Sequence, residues 1–457
     1  MPALALPNMK ACIEESRLAL EDMDRGPSDP SDYHGLLDRL AGARRRLPRL
    51  YRRVVFRPFA TELEEMGAEE FDAILAGDPD RDGDAGILLD IAHAILQNGE
   101  GYNALATDAF QEVVADLYDG FLCAEDRAGV KPPDRGVVAP LVKWGSPESG
   151  AYTWPVDATS EFGSMAAIVN LPPSHARGAL MGWAALGHET AGHDILHADD
   201  GLLLEFKGLV HAALAREKLP AVFPRYWTAR IDETASDVLG ILNMGPAAGM
   251  GVVAYFRAFE PDSRLRSSGP GDDEHPADVL RGFLAAETVA LLSFAKRGVW
   301  SDALTRETHR DVRTIRLAGQ VVSEESARRS AAVVAATLAK APLQSLEGRS
   351  LIQIQDWRNH DENIVAELRR VLSAAAAVRY RRGEGHYAAH AVAAGVYEAL
   401  LTRDADVRRV FRRMLDILKT MHNENPGWGP LFLDRTRHGR RLARRGHAPE
   451  ARSRPRS

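Results

Sequence analysis

The sequence predicts a mainly helical protein with one small β-sheet, which places it in the α+β class. Leucines recur near helical spacing early in the chain, for example at Leu36, Leu37 and Leu40, and this spacing is typical of helices that bury one face. The segments VVAPLVKW and SMAAIVNLPP, in the stretch around residues 138–175, are β-branched or alternating and are bordered by proline and glycine. These features are typical of short strands. We therefore expect the sheet in this stretch alone and helices in most of the remainder.

The chain length and the positions of its loop segments predict four regions. A length of 457 residues suggests about two to four domains. We predict a helical N-terminal domain over residues 1–130, which ends in the loop segment GVKPPDRGVVAP. A central core follows over 131–300, and a helical C-terminal domain covers 301–433. Residues 434–457 contain nine arginines and no lysine, a composition typical of a disordered tail.

Composition and charge argue against several classes of function. The formal net charge of −7 argues against nucleic acid as a partner. The two cysteines, Cys12 and Cys123, are too few for a disulfide framework or a cysteine-based zinc site. The N-terminus has no basic start followed by an apolar core, and no apolar run reaches the length of about eighteen residues that a membrane span needs. We therefore expect no membrane association and a cytoplasmic location.

The most informative segment is WAALGHETAGHDILHADDG, which contains His188, Glu189 and His193 in the order His-Glu-x-x-Gly-His. In the common zinc-peptidase motif the two histidines lie four residues apart, so that both reach one Zn²⁺ from one face of a helix. Here they lie five apart, and on a regular α-helix their side chains would point about 140° away from each other. They converge only if the helix is widened by a π-bulge. Gly192 is where this distortion is easiest, because glycine has no Cβ.

A second polar group lies in TARIDETASDVLGILNMG, where Glu233 and Asp237 are four residues apart on a predicted apolar helix. Both carboxylates then face the same way, and on the buried face of a helix they are costly unless they are paired or bind a metal. We therefore expect Glu233 to be the third ligand of a metal held by His188 and His193. We expect Asp237 to accept the outer N–H of a ligating histidine, which fixes the tautomer of that histidine.

These residues carry a family resemblance. The segment DETASDVLG resembles the glutamate helix of the thermolysin-like gluzincins, Asn-Glu-x-x-Ser-Asp-x-x-Gly, with Asp232 in place of the asparagine, and the HExxGH motif resembles the dipeptidyl peptidase III family. The resemblance covers roughly residues 165–285. It implies a zincin-like core that binds Zn²⁺ and hydrolyses peptide bonds in a peptide or protein substrate, with Glu189 as general base. By position along the chain, SMAAIVNLPP would then be an edge strand that pairs with the extended substrate.

A third fragment, DEHPADVLR, contains His275 followed by proline and, six residues after the histidine, Arg281. It is similar to an element of the membrane CAAX-processing zinc proteases, which also follows the glutamate ligand. The similarity implies that His275 stabilises the oxyanion and that Arg281 supports the site. Tyr226, Tyr255 and Tyr387 are further candidates to assist His275, and the sequence does not choose among them.

Three alternatives remain open from the sequence. His193, Asp194 and His197 form an HDxxH motif at regular helical spacing, in which Asp194 would be the base. The His193-Asp194 pair also resembles the HD-type metal-dependent phosphohydrolases, with His93 and Asp237 as further ligands. Finally, the site could bind a metal without catalysis and serve as a binding scaffold, or consist of buried polar groups without a metal. The oligomeric state is left open.

Overall fold

A computed structural model of the chain describes residues 3–429 except 23–25, 28–29, 123–126, 128, 136–137, 148–149 and 375–379. Over these residues the protein is mainly helical and contains two small β-sheets. The predicted mainly α class with a small sheet is confirmed at this level. The predicted arginine-rich tail over 434–457 lies outside the described residues, as does Cys123.

The described residues that precede the first strand are helical. Their α-helices are α1 (Met9–Leu20), α2 (Tyr33–Ala43), α3 (Arg49–Tyr51), α4 (Arg57–Gly77), α5 (Asp84–Glu100) and α6 (Ala104–Leu122), and a π-helical turn, Arg52–Phe56, joins α3 to α4. Helix α2 begins after Asp32, whose carboxylate accepts a hydrogen bond of 3.2 Å from the backbone N–H of Gly35. Such a cap satisfies one of the N–H groups that have no partner within the helix.

Helices also form most of the remaining chain. They are α7 (Val156–Thr159), α8 (Leu180–Trp183), α9 (Leu186–His188), α10 (Leu202–Arg216), α11 (Val222–Thr228), α12 (Ile231–Met244), α13 (Pro246–Phe259), α14 (Asp278–Leu291), α15 (Arg297–Asp311), α16 (Glu324–Lys340), α17 (Leu351–Ile354), α18 (Asn359–Ser373), α19 (Ala388–Leu401) and α20 (Val407–Asn423). Ser323 caps α16 and Asp406 caps α20 in the same way, by accepting the N–H groups of Ser326 and Arg409. A second π-helix, Glu189–Asp194, directly follows α9.

The first sheet consists of β1 (Leu141–Trp144), β2 (Tyr152–Trp154) and β3 (Ile168–Leu171) in the order β1-β3-β2. Strand β3 is parallel to β1 and antiparallel to β2. The two strands predicted from VVAPLVKW and SMAAIVNLPP are confirmed as β1 and β3. The prediction that SMAAIVNLPP forms an edge strand is wrong, because β3 lies between the other two and all four of its residues are buried. The two edge strands are β1 and β2, and the sequence did not predict β2.

The second sheet consists of β4 (Ser268–Gly269), β5 (Ile315–Leu317) and β6 (Gln320–Val322) in that order. Its existence contradicts the expectation that the sheet is confined to the stretch around residues 138–175. Strands of two or three residues are too short for an alternating pattern, and main-chain pairing defines them instead. The amide of Arg316 donates to the carbonyl of Ser267 at 3.0 Å, for example.

Two hydrophobic clusters pack on the two faces of the first sheet. Leu141 and Ile168 belong to a smaller cluster with helices α2 to α5, whereas the next residues, Val142 and Val169, belong to the larger one. Successive residues of a strand point to opposite faces, so burial on both faces explains the continuous apolar runs of these strands. The larger cluster contains residues from all three predicted domains. The domain boundaries remain a prediction.

Within the described part of the chain, each helix is either too short or too polar to cross a lipid bilayer. This agrees with the expectation that no membrane span is present. The cytoplasmic location remains a prediction.

Candidate metal centre

The widened helix that the histidine spacing requires is present. His188 is the last residue of α9, and the π-helix Glu189–Asp194 begins at the next residue. Because a π-helical turn holds one more residue than an α-helical turn, it returns His193 to the side of the helix that carries His188. The two Nε2 atoms lie 3.0 Å apart. The predicted π-bulge is therefore confirmed, and the two imidazoles converge.

The widened turn packs very closely against α12. A Cβ atom at Gly192 would lie only 2.4 Å from the Cβ of Ser236, and one at Gly240 would lie 2.9 Å from the carbonyl carbon of Gly187. Any side chain larger than hydrogen at these positions would push the two helices apart. Gly192 therefore serves a close approach that the sequence analysis did not foresee, in addition to the predicted helix distortion.

The close approach brings Glu233 of α12 to both histidines. Its Oε2 atom is 3.3 Å from Nε2 of His188, and its Oε1 atom is 3.2 Å from Nε2 of His193. In a tetrahedral zinc site with bonds of about 2.0–2.1 Å, neighbouring donor atoms are separated by about 3.3 Å. The buried Oε2 atom also has no hydrogen-bond partner among the described residues. The spacing and this unpartnered oxygen both fit a Zn²⁺ ion.

The outer nitrogens of both imidazoles are held by carboxylates. Asp237 Oδ1 lies 2.9 Å from His188 Nδ1, and Asp232 Oδ1 lies 2.9 Å from His193 Nδ1. Arg281 donates to both oxygens of Asp237 at 2.7 Å. Because an ionised carboxylate can only accept, each Nδ1 carries a proton and each neutral imidazole presents its Nε2 lone pair to the other. Two lone pairs 3.0 Å apart repel unless a proton or a cation lies between them.

The electrostatics of the site without a metal also favour a proton or a cation between the imidazoles. Burial alone would lower the pKa of His188, but Glu233 and Asp237 outweigh it and raise this pKa to about 9. Burial alone would raise the pKa of Glu233, but His188 and His193 hold it well below its usual range. Without an ion, protons on the imidazoles therefore balance the carboxylates. A divalent cation would displace these protons, which couples metal binding to pH.

The predicted general base, Glu189, is the first residue of the π-helix and faces the cleft in front of the histidines. Its carboxylate is tied to the edge strand, because the Thr153 hydroxyl donates to Oε2 at 2.8 Å. This contact anchors one oxygen of Glu189 to β2. Thr153 was missed by sequence analysis, since β2 itself was not predicted.

His275 lies at the cleft, in the loop between β4 and α14. Its Nε2 atom is 3.6 Å from Oε1 of Glu233, and its side chain is 52% exposed. The loop is held by its main chain, because Asp273 accepts the amide N–H of His275 at 2.9 Å and Arg230 donates to its carbonyl at 3.1 Å. The structure thus places His275 at the open side of the site. Arg281 lies behind the site, with Nη1 3.5 Å from Oε2 of Glu233.

Of the three candidate tyrosines, Tyr255 lines the cleft. Its hydroxyl is 2.8 Å from Nε2 of the buried His175. The hydroxyl of Tyr226 accepts the amide N–H of Ala277 at 2.9 Å and supports the loop behind His275. Tyr387 precedes α19 and lies against His390, outside the residues that line the cleft.

The structure does not place Asp194 and His197 as the HDxxH alternative requires. Asp194 is buried, its charge acts on Tyr118, and burial raises its pKa to about 8. His197 has both ring nitrogens engaged, with Nε2 3.0 Å from Asp232 and Nδ1 3.1 Å from Asp157. Asp194 is therefore buried away from the residues that line the cleft, and His197 has no ring nitrogen free to bind a metal.

Among the described residues, the side chains able to share one metal ion are His188, His193 and Glu233. His93 and Asp237, the further ligands of the phosphohydrolase alternative, do not belong to this group. Asp237 instead holds the outer nitrogen of His188.

The metal centre opens into a cleft of about 800 Å³. Strand β2 and the residues before it form one wall, and a face of α13 forms another. Comparisons of the chain with protein-family models, with curated proteins and with solved structures found no match. The function is therefore argued from the site itself.

Proposed function

We propose that this protein is a zinc-dependent peptidase of the gluzincin type, with a zincin-like core. The observation that carries the proposal is the convergence of His188, His193 and Glu233 at the donor spacing of a tetrahedral zinc site, with Glu189 lining the same open cleft. Two histidines and one glutamate are the ligand set of catalytic zinc sites that keep a position for water and substrate. A structural zinc site would need no such cleft.

The residues of the chain divide the chemistry among them. When bound, Zn²⁺ would polarise the substrate carbonyl and lower the pKa of a water molecule. Glu189 takes the proton of the attacking water and passes it to the amine of the leaving group, while Thr153 holds its Oε2 atom in place. His275 donates a hydrogen bond to the developing oxyanion, an interaction worth about 3 kcal/mol per donor. Asp237 and Asp232 keep both ligating imidazoles in the Nδ1–H tautomer.

The walls of the cleft suit an extended peptide. Strand β2 is an edge strand, and exposed strand edges bind peptides by main-chain pairing. Opposite the polar residues, Val252, Phe256 and Phe259 of α13 follow one helix face over about 10 Å, and Phe259 is 50% exposed. Side chains on one face of an extended peptide repeat about every 7 Å. We therefore expect large apolar side chains near the scissile bond.

Replacement of Glu189 by glutamine tests the proposal. The wild-type protein should contain about one zinc per chain and cleave members of a quenched-fluorescent peptide library. Glu189→Gln should retain the zinc but lose activity by about 10²–10⁴-fold. Glu69→Gln, an exposed change on α4 away from the cleft, is the matched control and should behave as wild type. Full activity of Glu189→Gln would refute the mechanism, and phosphoester cleavage with Mn²⁺ in place of peptide cleavage would favour the phosphohydrolase.

A further inference from the structure

Asp232 connects two histidines, one of which is a metal ligand. Its Oδ1 atom lies 2.9 Å from His193 Nδ1, and its Oδ2 atom lies 3.0 Å from His197 Nε2. The other ring nitrogen of His197 lies 3.1 Å from Oδ2 of Asp157. Four side chains thus form a continuous row of hydrogen bonds from the metal centre to Asp157, which is 39% exposed.

The chemistry of the partners defines the state of His197. Ionised carboxylates only accept hydrogen bonds, so an imidazole between two of them donates from both nitrogens and is a cation. The pKa of His197 agrees, since burial would lower it but the bonds to Asp157 and Asp232 raise it to about 9. His197 is therefore a fixed donor and a positive charge beside Asp232.

The same geometry explains why residue 232 is an aspartate where the gluzincin pattern has asparagine. An asparagine has one acceptor oxygen, so it can accept from one imidazole but would turn its NH₂ group towards the N–H of the other. A carboxylate accepts from both. The aspartate at position 232 and the histidine at position 197 thus belong to one hydrogen-bonded pair.

We propose that His197 is a positioning residue for the metal ligand His193, and that it acts by holding the Asp232 carboxylate between the two imidazoles. Without His197, no donor among the described residues remains for the Oδ2 atom of Asp232, and the carboxylate is free to rotate away from His193. The hydrogen bond that fixes the tautomer and orientation of His193 then weakens, and with it the affinity for the metal. This inference rests on the metal site of the proposed function but not on its peptidase chemistry.

The test measures zinc affinity of the full-length protein by competition with a chromogenic chelator. His197→Ala removes the donor. His197→Gln places an amide nitrogen near the position of Nε2 and retains the bond to Asp232, whereas the shorter His197→Asn reaches only towards Asp157. We expect Ala and Asn to weaken zinc binding by about tenfold, the lower end of the range for outer partners of ligating histidines. The Gln variant should keep most of the affinity, and His211→Ala, an exposed change on α10, should keep all of it.

Two further measurements separate positioning from a general loss of structure. The ligand-field spectrum of the Co²⁺ protein should be that of wild type for His197→Gln but altered for His197→Asn. Asp232→Asn should weaken zinc binding, and adding His197→Ala to it should weaken it little further, because both changes break one coupled pair. Thermal unfolding of the metal-free variants reports any change in the fold itself.

The outcomes are distinct. Equal zinc affinity in all the His197 variants and wild type, equal losses for Gln and Asn, or losses that multiply in the double variant would each overturn the role of His197. Failure of the wild-type protein to bind zinc or Co²⁺ would overturn it as well. If the affinities follow the expected order but no peptide is cleaved, the inference holds and the proposed peptidase function fails.

Discussion

Replacing Asp237 by alanine removes the carboxylate that joins His188, a proposed metal ligand, to the buried cation of Arg281. Its Oδ1 atom lies 2.9 Å from His188 Nδ1, and its two oxygens accept from Arg281 at 2.7 Å. The side chains of Asp237 and Arg281 are only 3% and 5% exposed. Removing one partner of such a buried pair costs about 3–5 kcal/mol, because Arg281 would lose its closest partner and keep only the Glu233 carboxylate, 3.5 Å from Nη1. The same change should weaken zinc binding by about 10–100-fold, because His188 loses the acceptor that fixes its tautomer.

Urea unfolding of the chelator-treated protein measures the first effect, and chelator competition measures the second. Asp302→Ala, an exposed aspartate on α15, is the matched control and should change neither. Asp237→Ala combined with Arg281→Met removes both partners of the pair and not one alone, so the double variant should regain part of the lost stability. A loss below about 1 kcal/mol for Asp237→Ala, or a double variant less stable than either single variant, would refute the stabilising role of this buried ion pair.

Three further predictions follow from the same geometry. Gly192→Ala should lower the free energy of unfolding by about 1–3 kcal/mol and weaken zinc binding, because the new Cβ would lie 2.4 Å from the Cβ of Ser236. Gly208→Ala, where a Cβ meets open space, is the control and should change neither property. Equal thermal unfolding of the two variants would contradict the packing argument. Neighbouring carboxylates outweigh burial and raise the pKa of His188 to about 9, so zinc must displace a proton from His188 below that pH. The affinity for zinc should therefore rise with pH by about tenfold per unit for each displaced proton. Calorimetry in buffers of different ionisation enthalpy counts the protons, and a zinc affinity that does not change with pH would contradict the prediction. Phe259→Glu should lower kcat/KM for peptides with apolar side chains relative to charged ones, and an unchanged ratio would remove Phe259 from the substrate site.

The sequence predicted the local geometry of the helix that carries His188 and His193 because that geometry follows from elementary helix rotation. Two histidines five residues apart converge only on a widened turn, and the π-helix Glu189–Asp194 provides it. Likewise, the four-residue spacing of Glu233 and Asp237 placed both on one face of α12, and both do reach the histidines. Spacing along one helix is a local property, so these positions could be predicted from the sequence alone.

Contacts between distant segments could not be predicted in this way. Asp157 and Asp232 lie 40 and 35 positions from His197, and no periodicity relates them. Thr153 belongs to a strand of three residues, which is too short for an alternating pattern to be recognised. The strand order β1-β3-β2 was missed for the same reason, since pairing between strands depends on a neighbour far away in the chain.

Glu189 and Asp194 are the two acids that could act at the proposed metal site. Packing distinguishes between them, whereas the sequence pattern does not. Both follow a histidine directly, and HDxxH even has the regular spacing that HExxGH lacks. The glycine at position 192 permits α12 to approach the widened turn, and this approach brings Glu233 to His188 and His193 on the cleft side. Asp194, which follows His193 on the helix, is turned into the protein, where burial raises its pKa to about 8. Glu189 lines the cleft and the buried Asp194 does not, so the irregular motif, and not the regular one, places its acid where a substrate could reach it.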